Sequence, residues 1–253
     1  YEMVEKKGPY FPKTIKTSDD IKTISIPDVY DNLSYVLEAI KITKSELKGK
    51  VPLIGFAGAP WTIFAYMIEG QGSKTFSKAK SFLYREPELS HQLLGLITET
   101  TIAYLKGQIS SGADLVQLFD SWAGILTHQQ YEEFGMKYVS EICDAVHEAP
   151  VTVFAKGAYF ALENMKGLNC ETIGLDWNMC ISDAKTIFQN RKTLQGNLDP
   201  CVLYGDYNLI KHKTKEMLNS FAGHRHIANL GHGVYPDINP DHVKCFIETV
   251  KSN

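Results

Sequence analysis

An α/β fold with parallel strands is the fold class that this 253-residue sequence predicts, from two patterns that alternate along it. Short apolar runs, most of them apolar on both faces, are typical of parallel strands covered by helices. Between them, apolar residues recur every three or four positions, as on the buried side of a helix. The alternation is typical of a (β/α)8 TIM-type barrel or of an open doubly wound sheet. The sequence contains neither a G-x-G-x-x-G loop after the first run nor a P-loop, which makes a nucleotide-binding open sheet the weaker alternative.

Six of the apolar runs have the length of a strand and lie at 51–58, 113–119, 151–156, 171–177, 192–197 and 226–231. An eight-stranded barrel needs two more strand–helix units. Residues 1–27 contain several Lys and Pro residues and predict a loop or a hairpin. We therefore expect residues 1–253 to form a single barrel domain with about six of the eight units, and the first two strands to precede Tyr1.

Helical periodicity is clearest in three segments, and a fourth helix is indicated by its cap. The three apolar faces consist of Val29, Leu33, Val36, Leu37 and Ile40 in a helix over 29–42, of Leu93, Ile97, Thr100 and Tyr104, and of Tyr131, Phe134, Tyr138, Ile142 and Val146. The last helix is predicted to start at Pro240 with Asn239 as its N-cap, because proline is favoured in the first turn of a helix and asparagine just before it.

Composition and charge exclude several classes of protein. The chain is 44% hydrophobic and 22% charged, with a formal net charge of −3 and no basic block of the kind that binds nucleic acid or an anionic membrane. No apolar stretch approaches the length that spans a membrane. The five cysteines are scattered without a C-x-x-C pair, which predicts free thiols in a reducing cytoplasm and no four-cysteine zinc site. His242 and Cys245 have a metal-ligand spacing on a helix, but two ligands do not make a site.

Barrel enzymes carry their chemistry at the carboxyl ends of the strands, so the residues there are the candidates. The first run ends in small residues and Pro60, and Tyr66 follows one turn inside the next helix, where a core position is the simpler interpretation. The second ends in Asp120 and Ser121, which are equally typical of a catalytic pair and of a helix cap.

The later strand ends carry a lysine, two acids and a histidine. Lys156 is a possible Schiff-base nucleophile, but we expect it to pair with a neighbouring acid. Asp176 and Asp199 are predicted to hold the rim by hydrogen bonds or to take part in catalysis. His232 lies between two glycines, which favours a functional role, because core histidines rarely have such neighbours. These residues predict a barrel enzyme without a metal cluster and do not by themselves specify a reaction.

Five motifs give the sequence a resemblance to the uroporphyrinogen decarboxylase family. They are GFAGAPWT (55–62) followed by YMIEG (66–70), QLFDSWAG (117–124), GLDW (174–177), LQGNLDP (194–200) and NLGHG (229–233). Their order and length make the resemblance specific, and it covers nearly the whole chain from about Gly8 onward.

The resemblance implies a reaction, a fold and a set of substrate contacts. Members of the family remove the carboxyl groups of the four acetate side chains of uroporphyrinogen III to give coproporphyrinogen III. They use no cofactor and no metal, because a protonated pyrrole ring serves as the electron sink. The family is built on a (β/α)8 barrel, usually homodimeric. By this resemblance Tyr66 and Ser121 bind substrate carboxylates, His232 contacts a propionate or acetate, and Phe56 and Phe119 pack against the macrocycle.

The sequence departs from the family pattern at one point. The family's arginine-rich R-Q-A-G-R loop and its central aspartate are absent from residues 1–253. That aspartate binds the pyrrole N–H groups, so we assign no catalytic residue within this chain and expect the aspartate upstream of Tyr1. Asp120, Lys156 and Asp176 gain no role from the resemblance and are predicted to be structural.

Two alternatives remain open at this stage. One is a zinc- and corrinoid-dependent methyltransferase of the same superfamily, whose ligands include a His-x-Cys and a further Cys at strand ends. The corresponding places here are occupied by Lys156 and His232, without a cysteine. The other is a porphyrin-binding relative that has lost catalysis.

Overall fold

The computed structural model gives the fold of residues 2–4 and 8–253. The strands of these residues are β1 (Glu2–Val4), β2 (Gly8–Tyr10), β3 (Ile54–Gly58), β4 (Leu115–Asp120), β5 (Val151–Ala155), β6 (Thr172–Gly174), β7 (Thr193–Leu198) and β8 (His226–Leu230). β1 and β2 form an antiparallel pair, which confirms a hairpin near the start of the chain. β3 to β8 form one six-stranded sheet in sequence order, and every neighbouring pair is parallel.

The six predicted strands are therefore confirmed, with bounds that differ by zero to three residues from the apolar runs. Neighbours in sequence are neighbours in the sheet, which is the strand order of a (β/α)8 barrel. Within the described residues, β3 pairs only with β4 and β8 only with β7, so these two strands form the edges.

Helices connect successive strands. They are α1 (Ser18–Lys22), α2 (Val29–Asn32), α3 (Ser34–Leu47), α4 (Pro60–Glu69), α5 (Ser77–Arg85), α6 (Pro87–Ser110), α7 (His128–Tyr131), α8 (Lys137–Ala145), α9 (Leu162–Met165), α10 (Ile181–Phe188), α11 (Tyr207–Ser220) and α12 (Pro240–Lys251). A π-helical turn over Glu132–Met136 joins α7 to α8. The start of α12 at Pro240 is confirmed, and the Asn239 side chain accepts from the Asp241 N–H. Among the helices of the described residues, none has both the length and the apolar character needed to cross a membrane.

The single helix predicted over 29–42 is wrong, because the chain leaves helical geometry at Leu33 (φ −120°, ψ 19°). The Asn32 amide donates to Asp28 O and the Ser34 hydroxyl to Asp31 O. Such local bonds compete with the regular helical pattern. The predicted apolar face still holds, because Val29 and Leu37 are buried.

The two faces of the sheet have different environments. On the outer face, Gly55 of β3 lies so close to Gln108 of α6 that a side chain at Gly55 would clash with the amide. The inner face carries Gln117 and Phe119 of β4 and Phe154 of β5. On the two edge strands the inner-face residues Ile54, Phe56 and Ile227 are exposed, and Phe56 is the most exposed at 61%. The inner face is therefore where a ligand can reach the sheet.

Candidate active site

A cavity of about 390 Å³ lies on the inner face, at the carboxyl ends of the strands. Its walls consist of Gln117, Phe119, Ser121, Phe154, Leu175, Gln195, Asn229, Leu230, His232, Gly233 and Val234. A larger groove of about 600 Å³ lies between residues 14–16 and α5, but most of its polar lining is exposed and it is away from the strand ends. The strand-end cavity is the candidate site because it contains the residues to which the sequence pointed.

The alternation of side chains along β4 explains the lining. Successive residues of a strand point to opposite faces, so Gln117, Phe119 and Ser121 share the inner face while Asp120 points outward. Below Ser121, the Gln195 amide of β7 donates to Gln117 Oε1 over 3.3 Å. This buried pair closes the floor of the cavity and was not predicted from the sequence.

Aromatic rings form a row along the inner wall. The Phe56 and Phe119 centroids are 5.9 Å apart with the rings edge to face, and Phe119 has the same distance and arrangement to Phe154. The row continues to His232, whose ring centroid is 6.2 Å from that of Phe154. On the outer side, the Gln108 amide bonds to both the N–H and the C=O of Phe56, which fixes the backbone at the first ring. The result is a continuous apolar surface beside polar groups.

His232 is held beside Trp177 by a close backbone contact. A Cβ on Gly231 would lie 2.5 Å from the Trp177 N atom, so only glycine allows the β8 loop to come this near. The two ring centroids are 6.1 Å apart. Burial lowers the pKa of His232, and the positive charge of Lys156 lowers it further, while Asp176 opposes the shift. The imidazole is therefore neutral at pH 7.

Tyr66 lies outside the cavity lining, on α4. Its hydroxyl accepts a hydrogen bond of 3.2 Å from Trp122 Nε1, and its ring packs edge to face on Phe76 at 5.5 Å. Trp122 directly follows Ser121, so the indole connects Tyr66 to the site. The structure thus brings Phe119, Ser121 and His232 together in one cavity, adds Phe56 through ring contact, and places Tyr66 behind Trp122.

Asp120 forms a polar cluster behind β4 that the sequence did not reveal. The Thr62 hydroxyl donates to Asp120 Oδ1 over 2.7 Å, and the Trp122 N–H contacts the same hydroxyl at 3.4 Å. Asp120 Oδ2 and the Tyr131 hydroxyl are buried without a well-formed hydrogen bond. Burial raises the pKa of Asp120 to about 6, against the opposing effects of Thr62 and Tyr131. Burial and the Asp120 charge raise the pKa of Tyr131 as well.

The remaining strand-end residues divide into one confirmed prediction and one wrong one. Asp176 accepts from the Gly157 N–H and, over 2.8 Å, from the Asn178 N–H, and Asp199 accepts from the Cys201 N–H. The predicted rim hydrogen bonds are therefore confirmed. The ion pair predicted for Lys156 is not formed with any carboxylate of the described residues. Its ammonium lies 5.5 Å from the centroid of the Trp177 ring instead.

The described part of the chain brings no three His, Cys, Asp or Glu side chains into a metal-ligating group. His242 bonds through Nδ1 to Leu203 O, and Cys245 is buried at 3.9 Å from Tyr207 O, so this pair serves the contact of α12 with the rest of the fold.

A cavity at the carboxyl ends of parallel strands is the active-site position of enzymes with a (β/α)8 barrel, and the fold and the site place the chain in this class. Sequence comparison then gives the family. The profile described as "Uroporphyrinogen decarboxylase (URO-D)" matches residues 1–253. The chain belongs to the uroporphyrinogen decarboxylase family.

Individual relatives agree with the family match. The uroporphyrinogen decarboxylase of Schizosaccharomyces pombe is 48% identical over 97% of this chain and 72% of its own length. That of Christiangramia forsetii is 46% identical over 99% of this chain and 74% of its own length. The human protein is 44% identical over 98% of this chain and 70% of its own length.

Among solved structures, a methyltransferase from Methanosarcina mazei superposes with a TM-score of 0.83. It has 21% sequence identity, and the superposition covers 99% of this chain and 74% of that one. A likeness at this identity supports the barrel fold and carries no information on the reaction.

Proposed function

We propose that the protein removes the carboxyl groups of the four acetate side chains of uroporphyrinogen III, giving coproporphyrinogen III in haem and porphyrin biosynthesis. Membership of the decarboxylase family supports this reaction. The structural observation that carries the proposal is the row of rings formed by Phe56, Phe119 and Phe154, which ends at Ser121 and His232. This wall is apolar where a macrocycle lies and polar where carboxylates project.

Phe56 and Phe119 pack against the tetrapyrrole in this proposal. Aromatic side chains contribute large apolar contact areas at low cost in conformational entropy. Phe56 is 61% exposed, so a bound macrocycle covers ring surface that otherwise faces water. The Gln108 amide holds the Phe56 backbone and keeps this ring at the edge of the cavity.

Ser121, Tyr66 and His232 bind carboxylate side chains of the substrate. The Ser121 hydroxyl lines the cavity and is free to donate. The Tyr66 hydroxyl accepts from Trp122 Nε1 and keeps its own proton for a carboxylate. His232, neutral because its pKa is lowered, still donates through one ring N–H. Each such bond to a charged group contributes about 1.5–3 kcal/mol.

The chemistry requires an electron sink, which the substrate supplies through a protonated pyrrole ring. The described residues hold the macrocycle and its carboxylates in this proposal, and no residue of 1–253 is assigned to the proton transfer or to the pyrrole N–H groups. The reaction needs no cofactor, because the electron pair of each departing carboxylate flows into the ring of the substrate itself.

The direct test is an anaerobic incubation of the full-length protein with uroporphyrinogen III, followed by oxidation and separation of the porphyrins by carboxyl number. We expect products that have lost one to four carboxyl groups to appear in succession. Substrate that binds without losing carboxyl groups would instead identify a non-catalytic porphyrin-binding protein. No structural observation favours the methyltransferase alternative beyond the shared fold.

We propose further that the protein is a cytoplasmic homodimer. All five cysteines are free thiols, and Cys180 and Cys201 are exposed, which fits a reducing compartment. The dimer follows from the family resemblance alone. Light scattering of the full-length protein at several concentrations tests it, and a mass equal to one chain throughout would contradict it.

A further inference from the structure

The backbone of Lys156 has a fixed position next to the cavity, although its side chain is not part of the lining. It follows β5, on which Phe154 lines the cavity, and strand alternation places residue 156 on the same inner face. Its N–H donates to Asp120 O over 3.0 Å, and its C=O accepts from the Gly124 N–H over 2.9 Å. A Cβ on Gly124 would be 2.7 Å from the Gly157 Cα, so the loops after β4 and β5 are in backbone contact there. The lysine therefore extends from a rigid strand end.

The ammonium of Lys156 differs from those of the other half-buried lysines. Within residues 8–253, each of the others has an oxygen partner: Lys44, Lys80, Lys106, Lys166, Lys185, Lys192 and Lys213. Lys80 and Lys192 provide the best comparison, since they donate to backbone carbonyls over 2.6 Å. Lys156 has no oxygen partner in the described structure, only the face of Trp177 at 5.5 Å.

Asp176, an acid near Lys156 at the neighbouring strand end, already has hydrogen-bond partners. The Asp176 carboxylate accepts hydrogen bonds from the backbone N–H groups of Gly157 and Asn178, so its oxygens face the backbone. A partly buried ammonium without an oxygen partner is unfavourable, because it gives up hydrogen bonds with water and the protein does not replace them. The aromatic face offsets part of this cost. An anionic group of a ligand would offset the rest.

Lys156 and His232 face a common space. Both side chains contact Trp177, the lysine over its face and the histidine at 6.1 Å between centroids. The influence of the Lys156 charge on the pKa of His232 also places the two groups near each other. His232 lines the cavity, and the ammonium lies beside it on the Trp177 side, just outside the lining residues.

We propose that Lys156 is a substrate-binding residue whose ammonium, together with His232, holds one carboxylate of the substrate over the Trp177 side of the cavity. This inference rests on the proposed decarboxylation and deepens it. The carboxylate concerned is one that the reaction leaves in place, that is, a propionate rather than an acetate. A cation paired with a departing carboxylate stabilises the ground state and loses its partner as neutral carbon dioxide forms, so it would slow the reaction.

A contact with a retained carboxylate is equally strong in the ground state and in the transition state. Its removal therefore raises KM and leaves kcat unchanged. Lys156→Met removes the charge and keeps an unbranched apolar stem against Trp177. We expect KM for uroporphyrinogen III to rise about ten- to hundredfold, as for the loss of one hydrogen bond to a charged group, with kcat within about threefold. Lys156→Arg should restore most of the affinity, because it returns the positive charge.

Two controls separate the possible outcomes. Lys211→Met removes the same charge from an exposed position on α11 and should leave both constants unchanged. Binding of coproporphyrinogen III, the product, gives a second measurement without turnover, and Lys156→Met should weaken it by the same factor as it raises KM. If Lys156→Met misfolds, Lys156→Gln replaces it in both assays.

The inference is overturned if Lys156→Met or Lys156→Gln, folded as judged by circular dichroism, keeps the wild-type KM and product affinity. A fall in kcat at unchanged KM would also overturn it, since that result means that the ammonium acts only in the transition state and not on a carboxylate that stays in place. The turnover assay of the wild-type protein tests the proposed function separately. Binding of the substrate without turnover in that assay would overturn the proposed function.

Discussion

Polar groups behind strand β4 are hydrogen-bonded to one another within the protein, whereas Ser121 and His232 in front of it face the cavity. Behind the strand, Asp120, Thr62 and Trp122 bond to one another and are largely withdrawn from water. In front of it, within residues 8–253, the side chains of Ser121 and His232 make no hydrogen bond to the protein. The rear cluster fixes the end of the strand, whereas the front groups keep their hydrogen-bonding capacity for a ligand. Variants on each side should therefore separate stability from substrate binding.

Thr62→Val is expected to have the largest effect, and on stability. It removes the hydroxyl that donates to Asp120 Oδ1 and leaves a buried carboxylate without a well-formed partner. We expect a loss of about 2–4 kcal/mol in the free energy of unfolding at pH 8, measured by urea denaturation. At pH 5 the loss should be smaller, because Asp120 with a pKa of about 6 is then largely protonated.

Thr98→Val is the matched control for Thr62. Thr98 is equally buried, but its hydroxyl donates only to Leu94 O in its own helix. The control should lose less than about 1.5 kcal/mol, the upper end for an ordinary hydrogen bond. Equal losses in the two variants would mean that the rear cluster does not depend on the Thr62–Asp120 bond.

Asp120→Asn should reveal the cost of the buried charge. A carboxyl whose pKa rises from 3.8 to about 6 on folding binds its proton more tightly in the folded state. Stability is then highest below the unfolded pKa, falls as the pH rises from about 4 to 6, and levels off above it. Asparagine retains the acceptor for Thr62 without the charge. The stability of Asp120→Asn relative to wild type should therefore increase by on the order of 3 kcal/mol between pH 4 and pH 7.

Urea denaturation of the two proteins at a series of pH values measures this difference. The contributions of the other titrating groups to stability are the same in both proteins and cancel. A difference that stays constant across the range would show that Asp120 ionises in the folded protein as it does in the unfolded chain. The rear cluster would then not be a low-dielectric environment.

Tyr66→Phe tests the residue that connects the two sides. Its hydroxyl accepts from Trp122 Nε1 and, in our proposal, donates to a substrate carboxylate. We expect kcat/KM to fall roughly ten- to hundredfold, as for a lost hydrogen bond to a charged group. The melting temperature should fall by a few degrees, because the indole N–H loses its partner at a cost of about 1 kcal/mol. An unaltered kcat/KM would make Tyr66 a structural residue only.

His232→Gln is expected to have the smallest effect. The lowered pKa of His232 leaves a neutral ring at pH 7, and a glutamine amide can replace one neutral donor. The variant should keep partial activity, within about tenfold of wild type, because the amide keeps a donor for the carboxylate and only part of that bond's contribution of about 1.5–3 kcal/mol is lost. Complete loss of turnover in a folded variant would show that the histidine takes part in the central proton transfer.

The sequence predicted the features that depend on nearby residues better than the features that depend on side-chain hydrogen bonds. A strand such as β5 is apolar on both faces, and this pattern is complete within five residues. All six strands of the parallel sheet could therefore be predicted. The break at Leu33 depends on side-chain bonds of Asn32 and Ser34 that compete with the helix, which periodicity does not register. The capping box of Thr17 and Asp20 that starts α1 is a local T-x-x-D pattern, so the start of this helix could have been predicted from the sequence.

The site shows the same division. The motifs led to Phe119, Ser121 and His232, which share one cavity. They did not predict the bond between Thr62 and Asp120, because 58 residues separate the partners. The ion pair expected for Lys156 was wrong for a similar reason, since the nearby Asp176 is occupied by backbone N–H groups.

The central claim is that the protein decarboxylates uroporphyrinogen III by chemistry that the substrate itself supports. Its most direct test is turnover of the full-length protein after exhaustive treatment with a chelator and gel filtration into metal-free buffer. We predict that coproporphyrinogen III forms at the rate of the untreated protein and that added zinc has no effect. Loss of turnover on chelation, restored by zinc, would contradict the claim and favour the alternative of a zinc-dependent methyltransferase.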